Sequence, residues 1–417
     1  MLKNRIKKRY IKTLLFLFFM VFIRGKKAEP DKSILFERPL VSRPQKSFSG
    51  KSPNILIGSF GYPQVNVGSL HAEDFVEGMD DVKSFVKRRV PIDDILLSRQ
   101  SLVNSLVKAK VKDLGGRFIG ETQEIAMSSR AVDTEVELDR PLLRRMEFHE
   151  RALPHGPSAS LKSLKVVENV KVKPVVERLV GDTDVKSLRA MNELYSRKVD
   201  EYELTKLLSA GTLGVDRKMV PTKWAITAVD DSLGKRLRSE VLDYAYCDFS
   251  VFCGEYIGNV YVVVVLPGDF SFELIEYTQK GHFYNEENRA IISKDYELVT
   301  GRKEYAYETA GGYYASRLAV LKYLSSVKRQ GRVIVYRIIT KDYSVPLGVW
   351  TVRETLSDLM SKKGELFGGV DEALMFVRKK LGEFDEDFLD KKTCDEFISE
   401  SVLLREEQTT MKRWKKK

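Results

Sequence analysis

The chain has 417 residues, of which 43% are hydrophobic and 31% are charged, and its formal net charge is +11. These values are typical of a soluble globular chain with an ample core, built as two domains or as a large domain with a smaller one. Residues 1–27 hold nine Lys and Arg, residues 411–417 hold five more, and neither segment contains an acid. Without these fourteen charges the remainder carries about −3, which excludes a domain that is basic throughout.

The cysteines and histidines are too few for a disulfide framework or a tetrahedral zinc site. There are three cysteines and four histidines, and Cys247 and Cys253 have no second pair that would complete a zinc set with them. His155 has no metal partner near it in the sequence, so we expect a structural histidine in a loop. We predict reduced, half-buried thiols, no zinc site and a cytoplasmic location.

Residues 1–50 are predicted to form a basic and apolar segment followed by a polar linker. The apolar run at 13–23 has eleven residues, short of the roughly 20 that a bilayer-spanning helix needs, so a membrane protein is not expected. A membrane anchor remains an alternative, whereas a signal peptide is disfavoured because no small-residue cleavage site follows the run. A further alternative is a translation start at Met20, which would leave residues 1–19 outside the protein.

The first half of the chain predicts a mixture of strands and helices. Residues 54–68 contain two apolar runs joined by Gly and Pro, which predicts two strands and a tight turn. The Gly-rich loop between them fits neither the P-loop nor the GxGxxG spacing. Asp182 or Asp184 is expected to be the N-cap of a long helix. Hydrophobic periodicity predicts a helix over 90–109, a strand over 127–138 and this long helix over 185–210.

Residues 211–231, GTLGVDRKMVPTKWAITAVDD, combine a glycine turn, cations and two adjacent acids. The run Trp224–Val229 is rich in apolar and β-branched residues and is predicted to be a buried strand. Asp230 and Asp231 would then stand at its exposed end. Acids in that position are typical of a turn or of a functional site.

In the second half, strands over 260–266 and 272–277 are separated by a Pro-Gly-Asp turn and predict a hairpin. The remaining predicted elements are a helix over 305–329, a strand over 333–339, and helices over 352–361, 371–381 and 394–407. Helices and hairpins without a βαβ repeat predict an α+β fold, with mixed sheets packed by helices.

Six segments are long and unusual in composition. They are SFGYPQVNVG (59–68), HGPSAS (155–160), GDTDVKSLRAMNELY (181–195), LLSAGTLGVDRKMVPTKWAITAVDD (207–231), YETAGGYYASRLAVLKYL (307–324) and VPLGVWTVRE (345–354). In sequence and in order they resemble the archaeal Nre DNA-repair proteins, and the resemblance covers roughly residues 50 to 405.

The resemblance implies a cytoplasmic protein that acts in the response to DNA damage. It implies a family N-terminal domain over 51–290 and a C-terminal domain over 291–405 that form one compact body, with a tail over 406–417. It also implies a partner, the sliding clamp of the replicative polymerase (PCNA), and DNA contacted directly or through the clamp. Members of this family commonly begin with a cysteine-rich, zinc-finger-like segment. This chain has no cysteine before Cys247, so no zinc site is carried over.

The tail contains a degenerate clamp-binding peptide. The family's box has Gln, an aliphatic residue three positions later, and aromatic residues at the sixth and seventh positions after Gln. Gln408, Met411 and Trp414 match it, and Lys415 stands where the second aromatic belongs. One short helical turn would put Met411 and Trp414 on the same side, so both could enter one apolar pocket of the clamp. The ordinary alternative is a solvated basic tail.

The alternative function is a metal-dependent DNA-repair nuclease or phosphotransfer enzyme. If the turn before the long helix met the end of the predicted strand, two pairs of acids would converge and hold Mg²⁺ or Mn²⁺. A helix cap and a turn explain the same acids without catalysis, so the catalytic residues stay unassigned. The candidate acids are Asp182, Asp184, Asp230 and Asp231, and the candidate phosphate-binding cations are Arg217, Lys223 and Arg317.

Overall fold

The structure is a computed structural model and describes residues 46–140, 146–149, 151–285, 287, 289–384 and 391–407. The apolar run at 13–23 and the predicted clamp-binding residues Gln408, Met411 and Trp414 lie outside the described residues. Within the described ranges, no helix is both long and apolar enough to cross a membrane.

Strands and helices occur in separate runs along the described chain and form mixed sheets packed by helices, which confirms the α+β prediction. The strands are β1 (Ser47–Ile57), β2 (Gln64–Ala72), β3 (Val103–Lys110), β4 (Val132–Leu138), β5 (Ser158–Val166), β6 (Ala245–Tyr246), β7 (Ser250–Tyr256), β8 (Asn259–Leu266), β9 (Ser271–Thr278), β10 (Ile291–Glu297), β11 (Arg329–Gln330), β12 (Arg332–Ile339) and β13 (Glu365–Leu366). The helices are α1 (Val82–Lys87), α2 (Ile92–Arg99), α3 (Arg117–Met127), α4 (Pro174–Gly181), α5 (Ser187–Ser196), α6 (Glu201–Ser209), α7 (Thr222–Val241), α8 (Ala310–Val327), α9 (Trp350–Met360), α10 (Val370–Phe384) and α11 (Lys391–Ser399). A short helix over 402–407 follows α11.

The first five strands close into a barrel in the order β1-β2-β3-β5-β4. Neighbouring strands are antiparallel, except for β3 and β5, which are parallel. Helix α3 stands between the third and fourth strands in the sequence. This order, with a helix at that place, is the topology of the OB-fold, a small barrel that binds oligonucleotides in many proteins. The strand predicted within 127–138 is confirmed as β4, whose alternate residues from Val132 to Leu138 are buried.

The second sheet has six strands in the order β10-β9-β12-β8-β7-β13. Every residue of β8 is buried because the sheet is covered on both faces. One face packs on helices α5 to α9, and the other packs on α10, α11 and the helix over 402–407. The sheet takes β7, β8 and β9 from the predicted N-terminal domain and β10, β12 and β13 from the predicted C-terminal domain, so the two domains share one core.

The predicted hairpin over 260–277 is wrong, because β12 lies between β8 and β9. Strand β12 is antiparallel to β8 and parallel to β9. The loop joining β8 to β9 therefore crosses the beginning of β12. Gly268 lies in that loop with φ of +140°, and a Cβ there would come within 2.8 Å of the Arg332 Nε atom. The turn signal in the sequence was real, but it did not reveal the strand inserted between the two runs.

The predicted strand Trp224–Val229 is also wrong, because these residues belong to helix α7. Ala225, Val229, Leu233 and Leu237 are buried at every fourth position along it. This spacing is the helical one, and it becomes visible only when the window continues past the two acids. Pro221 immediately precedes the helix, where its missing N–H costs nothing.

Two predicted helices are each divided in the structure. The helix predicted over 90–109 is α2 followed by β3, since the residues after Arg99 pair with β2 instead of continuing the helix. The helix predicted over 185–210 is α5 followed by α6. Lys198 has a left-handed φ of 62° at the break, and the Asp200 carboxylate accepts hydrogen bonds from the N–H groups of the next helix.

Candidate functional site

A pocket lies where the outer face of the barrel meets the helices of the second core. Its volume is about 70 Å³, room for roughly two water molecules at about 30 Å³ each. One wall comes from β1 and β2, a second from the loop before β5, and the rest from α6, α7 and α9. The residues that line it include Asn54, Leu56, Leu70, Arg99, Arg151, His155, Tyr202, Lys206, Ser209, Thr222, Ile226, Trp350 and Arg353.

Four cations line this pocket, and among the described residues no Asp or Glu side chain does. Arg99 is paired with Asp80, and Arg353 is paired with Asp230 at 2.6 Å. Both acids stand behind the pocket wall, so the two guanidinium groups are held in place by partners that do not line the cavity.

Arg151 and Lys206 differ from the other two cations because neither forms an ion pair among the described residues. The Arg151 Nη1 atom donates to the Thr227 hydroxyl at 3.0 Å, and the Lys206 Nζ atom donates to the Ser128 carbonyl at 3.3 Å. Burial lowers the pKa of Lys206, and the surrounding acids only partly offset that effect. An anion in the pocket would therefore gain two cations that have no carboxylate partner.

Further buried polar groups at the pocket have unused hydrogen-bonding capacity. The Ser209 hydroxyl and the Arg353 Nε atom are buried without a hydrogen-bond partner among the described residues. Most buried polar groups in folded proteins are satisfied, so these two point to a ligand or water in the pocket. The arrangement can bind an anion by charge and by directed hydrogen bonds.

A pair of histidines lies beside the pocket. The His149 and His155 Nε2 atoms are 3.1 Å apart, and the His155 Nδ1 atom lies 2.7 Å from the Gly156 carbonyl, to which it donates. Burial lowers the pKa of both rings, that of His155 to about 4. Both are therefore neutral at pH 7, and His149 must supply the Nε2 proton between them. The expectation of a structural His155 did not include this partner, although the six-residue spacing was visible in the sequence.

The first pair of candidate acids closes a turn. The Asp182 carboxylate accepts from the N–H groups of Asp184 at 2.9 Å and Val185 at 3.2 Å. Neither acid is the predicted N-cap, because the N-cap residue of α5 is Lys186. Asp182 instead ends α4, so the prediction failed where the chain made an extra turn before the next helix.

The second pair of candidate acids lies within α7 and points to two different helices. Asp230 is buried against Arg353 of α9, whereas Asp231 binds Arg317 of α8 at 2.6 Å and Lys235 at 2.6 Å. Throughout the described ranges, no three His, Cys, Asp or Glu side chains come together in a way that could hold a metal ion. The convergence of two acid pairs that metal-dependent hydrolysis requires is therefore not found in that part of the chain.

The three candidate cations occupy different environments. Arg217 donates to the Gly214 carbonyl at 3.1 Å and to the Val180 carbonyl at 2.5 Å, which fixes the turn before α7. Arg317 is buried between Asp231 and Glu297. Lys223 is half-buried at the start of α7, and its charge contributes to the lowered pKa of His149. Of the three, Lys223 is the one beside the pocket, and sequence reasoning missed Arg151 and Lys206.

The last described residues are firmly attached to the second sheet. The Glu273 carboxylate accepts from the Ser401 hydroxyl at 2.6 Å and from the N–H groups of Val402 at 3.0 Å and Leu403 at 3.2 Å. It caps the helix over 402–407, and Glu407 pairs with Arg332. The predicted clamp-binding peptide begins at the next residue.

An OB-type barrel joined to a mixed α/β core defines a protein of the α+β class, and the pocket between them is lined by four cations and, among the described residues, by no acid. The family models described as "Archaeal Nre, N-terminal" and "Archaeal Nre, C-terminal" match residues 33–285 and 297–409. The chain belongs to the archaeal Nre family. The gap between the two matched segments, 286–296, contains nearly all of β10, which pairs with β9 in one sheet.

Curated relatives cover most of the chain. One is DNA repair protein NreA of Haloferax volcanii, 38% identical over 74% of this chain and 77% of the relative. Another is DNA repair protein NreB of Archaeoglobus fulgidus, 34% identical over 82% of this chain and 87% of the relative. DNA repair protein NreA of Archaeoglobus fulgidus is 33% identical over 79% of this chain and 84% of the relative. No solved structure matches the chain.

Proposed function

We propose that this protein is a DNA-repair factor whose core binds the DNA backbone and whose C-terminal tail binds the sliding clamp. The relatives named as DNA repair proteins support the general role. The observation that carries DNA binding by the core is the pocket in which Arg151 and Lys206 have no acid partner among the described residues.

The chemistry of the pocket suits a phosphodiester. Arginine presents several N–H donors that match phosphate oxygens, and lysine adds a compact charge. Partly buried cations bind an anion more strongly than surface cations do, because water screens them less. The barrel wall supports the same assignment, since OB-type barrels bind oligonucleotides on this side of the sheet.

Binding of the clamp by the tail is supported by the sequence of the tail and by its attachment point. Gln408 directly follows the helix that Glu273 caps, so the peptide leaves the core from a fixed position. Met411 and Trp414 supply the apolar anchors, and the surrounding lysines complement an acidic clamp surface. Lys415 in place of the second aromatic weakens the anchor without removing it.

The clamp proposal is tested with the full-length chain and purified clamp by calorimetry. Trp414→Ala is expected to weaken binding at least tenfold, about 1.4 kcal/mol, because a buried aromatic anchor is lost. Lys416→Ala is the matched control in the same tail and should change affinity much less. Absence of binding, or equal binding by the Trp414→Ala variant, refutes clamp recruitment.

The DNA proposal is tested with the double variant Arg151→Ala/Lys206→Ala in a fluorescence anisotropy titration. We expect weaker binding to all DNA sequences and a smaller salt dependence, since two phosphate contacts are removed. Arg289→Ala/Lys379→Ala removes the same charge from exposed positions and serves as the control. Equal losses in the two double variants would show that only net charge matters and would refute the pocket.

A further inference from the structure

The β1–β2 loop presents aromatic side chains beside the pocket. Phe60 has 90% of its surface exposed, the highest value for any large hydrophobic residue within the described ranges. Gly61, with φ of +81°, lets the loop turn directly after it. The Tyr62 and Trp224 rings pack with centroids 5.1 Å apart, which joins the loop to the start of α7. The loop therefore offers one free ring next to a supported pair.

A row of lysines runs along the adjacent edge of the barrel. Lys108, Lys110 and Lys112 are exposed at alternate positions, so they share one side of β3 and its continuation. None of them forms an ion pair among the described residues. Lys110 lies opposite Gln64, and Lys108 lies opposite Asn66, in the register of β2 and β3. Their neighbours in the ladder are thus polar and uncharged.

The aromatic loop, the lysines and the pocket follow one another along the outer side of β2, in a strip that the buried Gly68 interrupts. Gln64 is the first residue after the loop, and Leu70 on the same strand lines the pocket. Six residues of strand span about 20 Å. Thr222 closes the other side, because its hydroxyl accepts from the Ile57 N–H at 2.9 Å and it also lines the pocket.

We propose that this strip binds single-stranded DNA. Bases stack on Phe60 and on the Tyr62–Trp224 pair, while the backbone follows the β3 lysines and places a phosphate between Arg151 and Lys206. Stacking on a side chain needs the face of an unpaired base, whereas a duplex offers only its backbone and groove edges. The inference rests on the proposed binding of DNA by the core and adds the strand class and the contacting residues.

The test is anisotropy with the full-length protein and a labelled oligothymidylate of about 12 nucleotides, within the usual site size of an OB-type barrel. Phe60→Ala is expected to weaken binding at least about fivefold with an unchanged salt slope, because a base loses its stacking partner. Lys108→Ala/Lys110→Ala is expected to reduce the salt slope by about 1.4, the value for two single-strand phosphate contacts.

Two variants on the far helices serve as controls. Met375→Ala removes another exposed apolar side chain, and Lys379→Ala/Lys392→Ala removes two exposed charges. Both are expected to bind oligothymidylate like the wild type. Phe60 is exposed, so its replacement leaves the core packing intact.

The outcomes separate this inference from the proposed function. Three results would each overturn the assignment to single-stranded DNA. They are equal affinity for a duplex of the same length, tighter binding of the corresponding RNA, and equal effects of Phe60→Ala and Met375→Ala. If one of these results is obtained and the Arg151→Ala/Lys206→Ala variant still loses affinity for duplex DNA, this inference fails but the proposed function stands. If the wild type binds no DNA at all, both fail.

Discussion

The buried ion pair between Asp230 and Arg353 gives the sharpest test of whether the α7 acids are structural. The Asp230 Oδ2 and Arg353 Nη2 atoms are 2.6 Å apart, and the two side chains are 1% and 3% exposed. Asp230→Asn keeps the shape of the side chain but leaves the guanidinium without its charge partner. Breaking one side of a buried pair costs about 3–5 kcal/mol of the free energy of unfolding.

For a chain of this size each kcal/mol lowers Tm by about 2 °C, so a decrease of roughly 6–10 °C is expected in a thermal unfolding scan. Asp231→Asn is the matched control on the adjacent residue. Asp231→Asn leaves Arg317 paired with Glu297 at 2.9 Å, so the loss of unfolding free energy is expected to be smaller than for Asp230→Asn. The double variant Asp230→Asn/Arg353→Met removes both charges and should recover part of the loss.

The refuting result has two parts. If Asp230→Asn unfolds within about 1 kcal/mol of the wild type, the structural reading of this pair is wrong. If the variant is fully stable and yet loses a metal-dependent cleavage of DNA that the wild type performs, Asp230 is catalytic. The alternative function, a metal-dependent repair nuclease, would then replace the interpretation of Asp230 as a structural acid.

Three further outcomes are expected. Burial acts to raise the pKa of Glu201, but Lys322, Lys83 and Arg353 outweigh it and hold the pKa at about 2, below the unfolded value. The stability that the Glu201 carboxylate contributes is therefore complete above about pH 4.5 and is lost toward pH 2. Urea titrations should show that the loss of unfolding free energy caused by Glu201→Gln shrinks over that range. A loss that stays constant with pH would contradict this prediction. Burial also lowers the pKa of His155 to about 4, so the free energy of unfolding of the wild type should fall as pH decreases from about 6.5 to 4. In the same titrations, His155→Gln should reduce this dependence of stability on pH. Gly258→Ala should lower Tm strongly in calorimetry, since φ at Gly258 is +69° and a Cβ there would lie 2.1 Å from the Tyr343 N atom. The control is Gly120→Ala on α3, where the added Cβ meets open space. This variant should leave Tm unchanged or raise it.

The sequence predicted the elements whose signal is local. The strand, turn and strand over 54–68 and the strand β4 followed from alternation and from Gly and Pro. The resemblance to the Nre proteins gave the family, because it rests on segments rather than on folding rules. Helix α7 was missed because the run Trp224–Val229 alone resembles a strand, and the period of four appears only over the whole twenty-residue helix.

The pocket was beyond such reasoning. The pocket cations come from four different parts of the fold: Arg99, Arg151, Lys206 and Arg353. Nothing in their local sequence distinguishes them from the cations that lie on the surface. What distinguishes them is which acids lie near them after folding. Arg99 and Arg353 have carboxylate partners behind the wall, and the other two have none among the described residues. Pairing between distant residues is a property of the tertiary structure, which periodicity does not reveal.

The net charge of about −3 between the basic ends was a sound argument against a uniformly basic domain, but an average does not locate an electrostatic site. Several acids of the second core are each paired with a cation: Asp230 with Arg353, Asp231 with Arg317, Glu201 with Lys322 and Glu276 with Arg337. These pairs add nothing to the field at a distance, because their charges cancel locally. The cations left without such a partner therefore determine where an anion binds, and those of the barrel edge and of the pocket lie along the same strip. A nearly neutral core can thus hold a polyanion through a few unpaired cations, and removing two of them should matter more than the overall charge predicts.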